Sequence, residues 1–244
     1  MPTPGVVMRM LTAPPANENT GTAPSPATIS AGVEAVYHLS ATDNLQPAAS
    51  TMYFLSDIEP ILNDSSLFDE DVSNTSLGSE TSGRGLAWLV LSYITGRDDG
   101  YGRFAPSQVP PTSFFPHGHN KDTNGSNEPQ LPPVGTVVVA NGSSPRADKE
   151  DDYHAWYEEE HAGRLAKVPG WQLNRRYRLE KKYEQGNCVE TAKFYGINFY
   201  DESNGLGGEV WKESTLTPWT SRIRQQAEKP NIRRTWQIVA RCNI

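Results

Sequence analysis

An α+β fold built from two ferredoxin-like repeats is what this chain predicts, on three observations. Its second half runs strand, helix, strand, strand, helix, strand. Its first half spaces four apolar runs as a weaker copy of that order, and a Pro/Gly-rich stretch separates the two.

In the first half, residues 5–12, 33–39, 51–58 and 86–95 read as strands, and residues 57–69 as a short helix. The first helix of the repeat has no counterpart. Residues 13–32 carry Pro14, Pro15, Pro24 and Pro26 among Asn, Thr, Ser and Ala, with no apolar stripe, which predicts a loop. Residues 1–95 therefore read as a degenerate repeat. Residues 96–133 form a long connection whose anchors, Phe104, Phe114, Phe115, His117 and His119, leave two readings open, a flexible linker or a lid.

Residues 134–244 read as the intact repeat. The β-branched run at 134–140 predicts a buried strand. A helix follows over 148–168, opened by Glu150-Asp151-Asp152 at its positive end and stopped by Pro169-Gly170. At about 100° per residue, Tyr153, Tyr157, His161, Leu165 and Val168 fall in one arc. Residues 171–180 predict a strand with Trp171, Leu173, Arg175, Tyr177 and Leu179 on one face, and 193–200 the next strand. A helix over 209–214 restarts at Thr217-Pro218, an N-cap followed by a proline suited to the first helical position. Residues 233–241 close the unit.

Four of these motifs together carry a resemblance. The helix with Trp156-Tyr157 and Glu160-His161, the Pro169-Gly170 turn, the strand with Arg175-Arg176-Tyr177, and Ser214-Thr215-Leu216-Thr217-Pro218-Trp219 resemble the EthD-like branch of the dimeric α+β-barrel proteins, in the two-repeat form common in fungi. The match covers roughly residues 134–240. In that family Glu-His is normally followed by Ala-Pro, whereas Ala162-Gly163 stands here, which loosens that helix end. The resemblance implies a single-chain barrel standing in for the family's usual dimer, with one active pocket, in the second repeat.

Composition narrows the partners. Net charge −7 argues against a nucleic-acid surface, since Arg175-Arg176, Lys181-Lys182 and Arg233-Arg234 are only short basic runs. Cys188 and Cys242 lack metal-ligand spacing and read as free thiols. No segment has the length of a membrane span or a signal sequence, so the expectation is a cytoplasmic protein, monomer or homodimer, with a hydrophobic or aromatic small-molecule substrate. No phosphate cradle, nucleophile elbow or zinc motif appears, and no cofactor is expected.

The chemistry then falls to side chains. His161 is the first candidate for proton transfer, a structural histidine being the alternative. Tyr157 and Arg175 complete the expected catalytic set, Arg175 as a holder of a carboxylate, phenolate or enolate, with an internal ion pair as the alternative. His154, Trp156, Tyr177, Tyr195 and Trp219 are the expected substrate-binding residues, although the aromatics equally suit a core. His154 and His161 lie about 10 Å apart along the helix axis, too far to share a metal. The resemblance implies a cofactor-independent cyclase (including pericyclase), decarboxylase or dehydratase acting on a polyketide-like or aromatic intermediate of secondary metabolism. A cofactor-free monooxygenase on a phenol and a non-catalytic binding protein stand as alternatives.

Overall fold

The computed structural model describes residues 2–12, 29, 32–75, 85–98, 102–104, 132–186 and 189–242. Among the described residues nine strands form: β1 Gly5–Leu11, β2 Val33–Ala41, β3 Ala49–Leu55, β4 Leu86–Asp98, β5 Gly102–Phe104, β6 Val137–Ser143, β7 Trp171–Gln185, β8 Phe194–Tyr200 and β9 Ile232–Cys242. Each repeat has the antiparallel strand order of a ferredoxin-like sheet, β4-β1-β3-β2 in the first and β9-β6-β8-β7 in the second. The two sheets do more than face each other. Strand β2 pairs with β9 and β4 with β7, so eight strands close into one barrel, with β5 added on the end of β4. This is the architecture of a dimeric α+β barrel within a single chain.

Alternation along the strands divides the core between lumen and exterior. Val6, Met8 and Met10 of β1, Tyr37 of β2, Phe54 of β3, Ile197 and Phe199 of β8 and Trp236 of β9 point into the lumen. The other faces carry the helices. In the first repeat, the expected helix over 57–69 is two helices, α1 Glu59–Asn63 and α2 Ser66–Asn74. The break falls at Asp64, whose extended backbone lets its carboxylate accept from Ser66 N (2.9 Å) and start α2. The predicted loop at 13–32 lies outside the described residues except for Ile29, which packs with Val7, Tyr53 and Trp88, and Gly32. The anchors Phe114, Phe115, His117 and His119 also lie outside them, as does Cys188. Among the described residues no helix is long and apolar enough to cross a membrane.

The second repeat carries α3 Glu150–Trp156, a wider π-helical turn over Tyr157–His161, and α4 Ala162–Leu165. The turn is marked by Ala162 N donating back to Tyr157 O. The wide turn counters the ~40° drift that each four-residue step accumulates in an α-helix, and Tyr153, Tyr157, His161 and Leu165 all stay buried. Gly163 does not end the helix. The helix ends at Leu165, short of the expected 168, and the turn into β7 is made at Gly170, whose φ of 77° is the left-handed conformation glycine adopts freely. Helices α5 Glu209–Thr215 and α6 Pro218–Gln225 complete the layer, with Thr217 capping α6 through Thr220 N (3.0 Å) as its sequence predicts.

Candidate functional site

The helix–sheet layer of the second repeat is drawn tight around one aromatic cluster. Tyr157 reaches the sheet because β8 has Gly196 beneath it; a Cβ there would lie 2.2 Å from the Tyr157 hydroxyl. That hydroxyl accepts from Asn174 Nδ2 at 3.0 Å. Trp156 stacks on His161 with ring centroids 4.1 Å apart, and Tyr157 meets the same imidazole edge-on at 5.2 Å.

The Glu160-His161 pair divides its work. Glu160 turns to α6 and accepts from the Thr217 hydroxyl at 2.6 Å. Because Thr217 has only one proton to give, Thr220, 2.8 Å away, must donate to Thr217 in turn, while accepting from Trp156 Nε1 at 3.2 Å. This chain of hydrogen bonds fixes the ring that covers His161. The imidazole itself faces a cavity of about 170 Å³ bounded by Trp156, Tyr157, Tyr200, Trp211 and Ile223. At its mouth stand the exposed Arg224 and Arg233, the latter with its guanidinium 5.7 Å over the Trp211 ring.

Burial pushes the His161 pKa down to about 3; a hydrogen bond to the Ser214 backbone opposes this, and the charges of Arg224 and Arg176 add to it. The His161 Nδ1 is buried with no hydrogen-bond partner. His161 is a neutral acceptor at physiological pH.

Behind it lies a buried guanidinium. Arg176 is 2% exposed, donates from Nη2 to His154 Nδ1 at 2.7 Å, and sits 4.2 Å from the Tyr157 ring centroid. Its Nε and Nη1 have no hydrogen-bond partner, and no carboxylate pairs with it among the described residues. Burial, then the neighbouring Arg176 charge, lowers the His154 pKa, against Glu150, Glu158 and Asp151. Burial raises the Tyr153 hydroxyl to about 12 and the Tyr157 hydroxyl in the same direction, with Arg176 opposing both.

Of the residues singled out from sequence, His161, Tyr157 and Trp156 come together on this cavity. His154 does not line it but lies behind, against the Tyr153 ring at 5.4 Å and bonded to Arg176, and Trp219 is held at the periphery, donating to Asp152 at 3.0 Å. Arg175 and Tyr177 do not join them. An irregularity between Trp171 and Leu173 turns Trp171 to the helix side, while Leu173 and Tyr177 enter the lumen with Arg175 between them in the alternation. The face shared by Trp171, Arg175 and Tyr177 is thus corrected: Gln172 interrupts it. Arg175 donates to Asn174 O (2.9 Å) at the lumen wall, and Tyr195 is also in the lumen, its hydroxyl accepting from Ala192 N (2.9 Å). The helix-side cation is Arg176, one residue on. Its only sequence signal is the phase of the strand, which the bulge hides. Among the described residues no group of three or more His, Cys, Asp or Glu is placed to hold a metal.

No protein-family model matches this chain, and no curated protein does. Solved structures do. An anthrone oxidase-like protein superposes with a TM-score of 0.55 at 10% identity, over 98% of this chain and 93% of its own. A proposed monooxygenase of Fusobacterium nucleatum subsp. nucleatum gives 0.54 at 7% identity, over 100% and 96%. At such identities the likeness establishes the fold and leaves the chemistry to the residues.

Proposed function

We propose that this protein is a cofactor-independent enzyme of the EthD-like kind that moves a proton on a small aromatic or polyketide-like substrate held in the second repeat. The observation that carries this reading is a neutral His161 on the wall of an aromatic cavity beside two arginines, with its Nδ1 buried and without a partner. A carbon or oxygen acid of the substrate gives its proton to Nδ1 and becomes an enolate or phenolate. The positive field of Arg176 and Arg224, which disfavours an isolated imidazolium, favours that anion, so the ion pair forms where neither charge alone would be stable. Returning the proton to another atom of the same molecule completes an isomerisation or cyclisation, and giving it to a departing hydroxide, which leaves as water, completes a dehydration; where the acid is a carboxyl group, loss of carbon dioxide from the carboxylate yields the enolate, which takes the proton back on carbon to complete a decarboxylation.

The cavity, about 170 Å³, is smaller than the ~300–1,000 Å³ of typical ligand pockets. It suits one ring, with the rest of a larger substrate leaving past Trp211 and Arg233. Tyr157 and Trp156 set that ring's plane.

A second reading is cofactor-free oxygenation, in which the same anion is oxidised by dioxygen. The names of the two structural neighbours, an anthrone oxidase-like protein and a proposed monooxygenase, favour it. One experiment separates the two. Incubation with anthrones and linear aromatic polyketide mimics, under argon and under air, is followed by product mass. Turnover under argon with unchanged mass, or with loss of carbon dioxide or water, supports the lyase or isomerase. Oxygen uptake with incorporation into product supports the oxygenase, and no conversion of any member leaves a binding protein.

A further inference from the structure

His154 has no task in the site described so far. It stands on α3 about two turns before His161, does not line the cavity, and is half-buried, so solvent protons reach its ring. Its Nδ1 lies 2.7 Å from Arg176 Nη2. A guanidinium can donate but never accept, so Nδ1 is the acceptor here, and the neutral ring carries its proton on Nε2. The contact matters as much to Arg176. Two of its three side-chain nitrogens, Nε and Nη1, are buried without partners, and the third is the one His154 holds.

That guanidinium supports the aromatic wall of the cavity from behind. Its carbon is 4.2 Å from the Tyr157 ring centroid and 5.3 Å from that of Tyr153, and both rings line the cavity. Tyr157 in turn meets the His161 imidazole edge-on. His154, Arg176, Tyr157 and His161 thus follow one another from the solvent side to the cavity.

A proton on Nδ1 breaks the first link. The acceptor is lost, and two cations are left facing each other across the same gap. The surroundings of His154 pull both ways. Glu150, Asp151 and Glu158 on its own helix favour the proton; Arg176 from β7 opposes it, and Phe194 of β8, edge-on at 4.8 Å, adds to the burial. Lys193, next to Phe194, is bonded to Glu150. Burial and then Arg176 prevail, holding the His154 pKa below its ordinary 6.5.

We propose that His154 is a positioning residue for the His161 cavity: neutral, it fixes Arg176 behind Tyr157, and protonated, it releases the guanidinium and loosens the wall against which His161 packs. Its effect on rate rests on the proton-transfer reading of the cavity, whereas the coupling from His154 to Tyr157 rests on the distances alone. Turnover is accordingly complete above pH 6.5 and lost as pH falls through the lowered His154 value. His161, at about 3, stays neutral over that fall and does not cause it.

Two measurements on the full chain test this. Without substrate, NMR of protein labelled with carbon-13 in its histidine and tyrosine rings follows a titration from about pH 8 to about pH 5. The Tyr157 signals are expected to move with the His154 midpoint. They are expected to stop moving in His154→Asn, whose Oδ1 accepts in place of Nδ1 but does not titrate. Tyr157 signals that ignore the His154 titration, or that titrate unaltered in His154→Asn, overturn the proposal. With a substrate from the mass screen, turnover is expected to fall at the same midpoint, and His154→Asn to lose that acid limb. Its kcat is expected to exceed that of His154→Leu, which offers no acceptor, by about tenfold with KM little changed. An acid limb that survives in His154→Asn, or equal rates in the two variants, also overturns the positioning role. Absence of turnover on every substrate instead removes the proton-transfer reading, and the substrate-free titration still decides the coupling. That titration uses the unaltered chain, so it decides even where a variant does not fold.

Discussion

The two helix–sheet layers of this protein each bury an arginine from a strand, and they treat it in opposite ways. In the first repeat Arg9 forms a bidentate pair with Asp71 of α2, at 2.7 and 2.9 Å, and Trp88 Nε1 donates to the same carboxylate at 2.7 Å. Phe68 then closes the layer edge-on against Trp88. Every charge there is answered. In the second repeat Arg176 has a histidine nitrogen and two aromatic faces, but no carboxylate, and its neighbour His161 keeps an unpaired nitrogen. A buried polar group left unsatisfied costs roughly 1–3 kcal/mol, more for a charge. A layer that bears this cost beside a cavity is one arranged for a missing group, whereas a layer that balances its charges is arranged for stability. The comparison is the physical support for placing the proposed site in the second repeat, and it draws on no relative.

Four substitutions or conditions sharpen or break that contrast. The largest effect is expected at His161. If its Nδ1 accepts the substrate proton, His161→Ala lowers turnover about 10²–10⁴-fold with KM little changed, in steady-state kinetics on whichever substrate the mass screen identifies. Full activity in a folded variant would leave the cavity a shaping or binding site only. Next, Asp71→Ala strands Arg9 and is expected to cost about 3–5 kcal/mol in denaturant unfolding. The same variant leaves the chemistry of any surviving folded fraction intact, so activity per folded molecule is the readout that keeps the repeats distinct.

The third effect is acid sensitivity. The His161 pKa of about 3 lies below its unfolded value near 6.5, so the unfolded chain takes up the proton first. The resulting stability is fully present above pH 6.5 and is lost as pH falls toward 3. Between pH 6.5 and 4.5 this amounts to roughly 2–3 kcal/mol. His161→Gln is expected to flatten most of that slope, with a remainder from His38 and His154, whose pKa values are also lowered, by burial first and then by Arg9 and Arg176 respectively. An unchanged slope would mean that water or buffer reaches the imidazole freely. The smallest effect has the opposite sign from ordinary core mutations. Arg176→Met removes an unanswered charge and is expected to leave stability within ~1 kcal/mol of the parent, or above it, while turnover falls. Marked destabilisation would show that Arg176 is a structural residue like Arg9.

Much of this was readable in the chain, for a physical reason. Strands whose apolar runs are bounded by turns, the Thr217 cap and the Gly170 turn are fixed by local sequence, and the buried arc from Tyr153 to Leu165 follows from helical spacing. The wall to which each β7 residue belongs was not readable, because it depends on the register against β4 and β8 and on one extra residue at Gln172. That single irregularity is why the sequence points to Arg175 and the structure to Arg176. The lumen was equally hidden. Its packing draws on β1, β4, β6, β8 and β9, and their inward residues read simply as core. Tyr183 shows the same limit: it belongs to the second repeat, yet stacks on Phe68 beneath the first repeat's helices, because the long β7 runs on along β4.

The closure of the barrel through β2–β9 and β4–β7 has a consequence for mass action. Where a barrel is completed by two separate subunits, dilution competes with its assembly, and both seam ladders are surrendered when the partner leaves. Here both seams join parts of one polypeptide, so their effective concentration is set by the connecting chain and not by the solution. Unfolding midpoints are accordingly expected to stay constant over a hundredfold or greater dilution, and a midpoint that falls with dilution would reveal an additional intermolecular contact holding the barrel together.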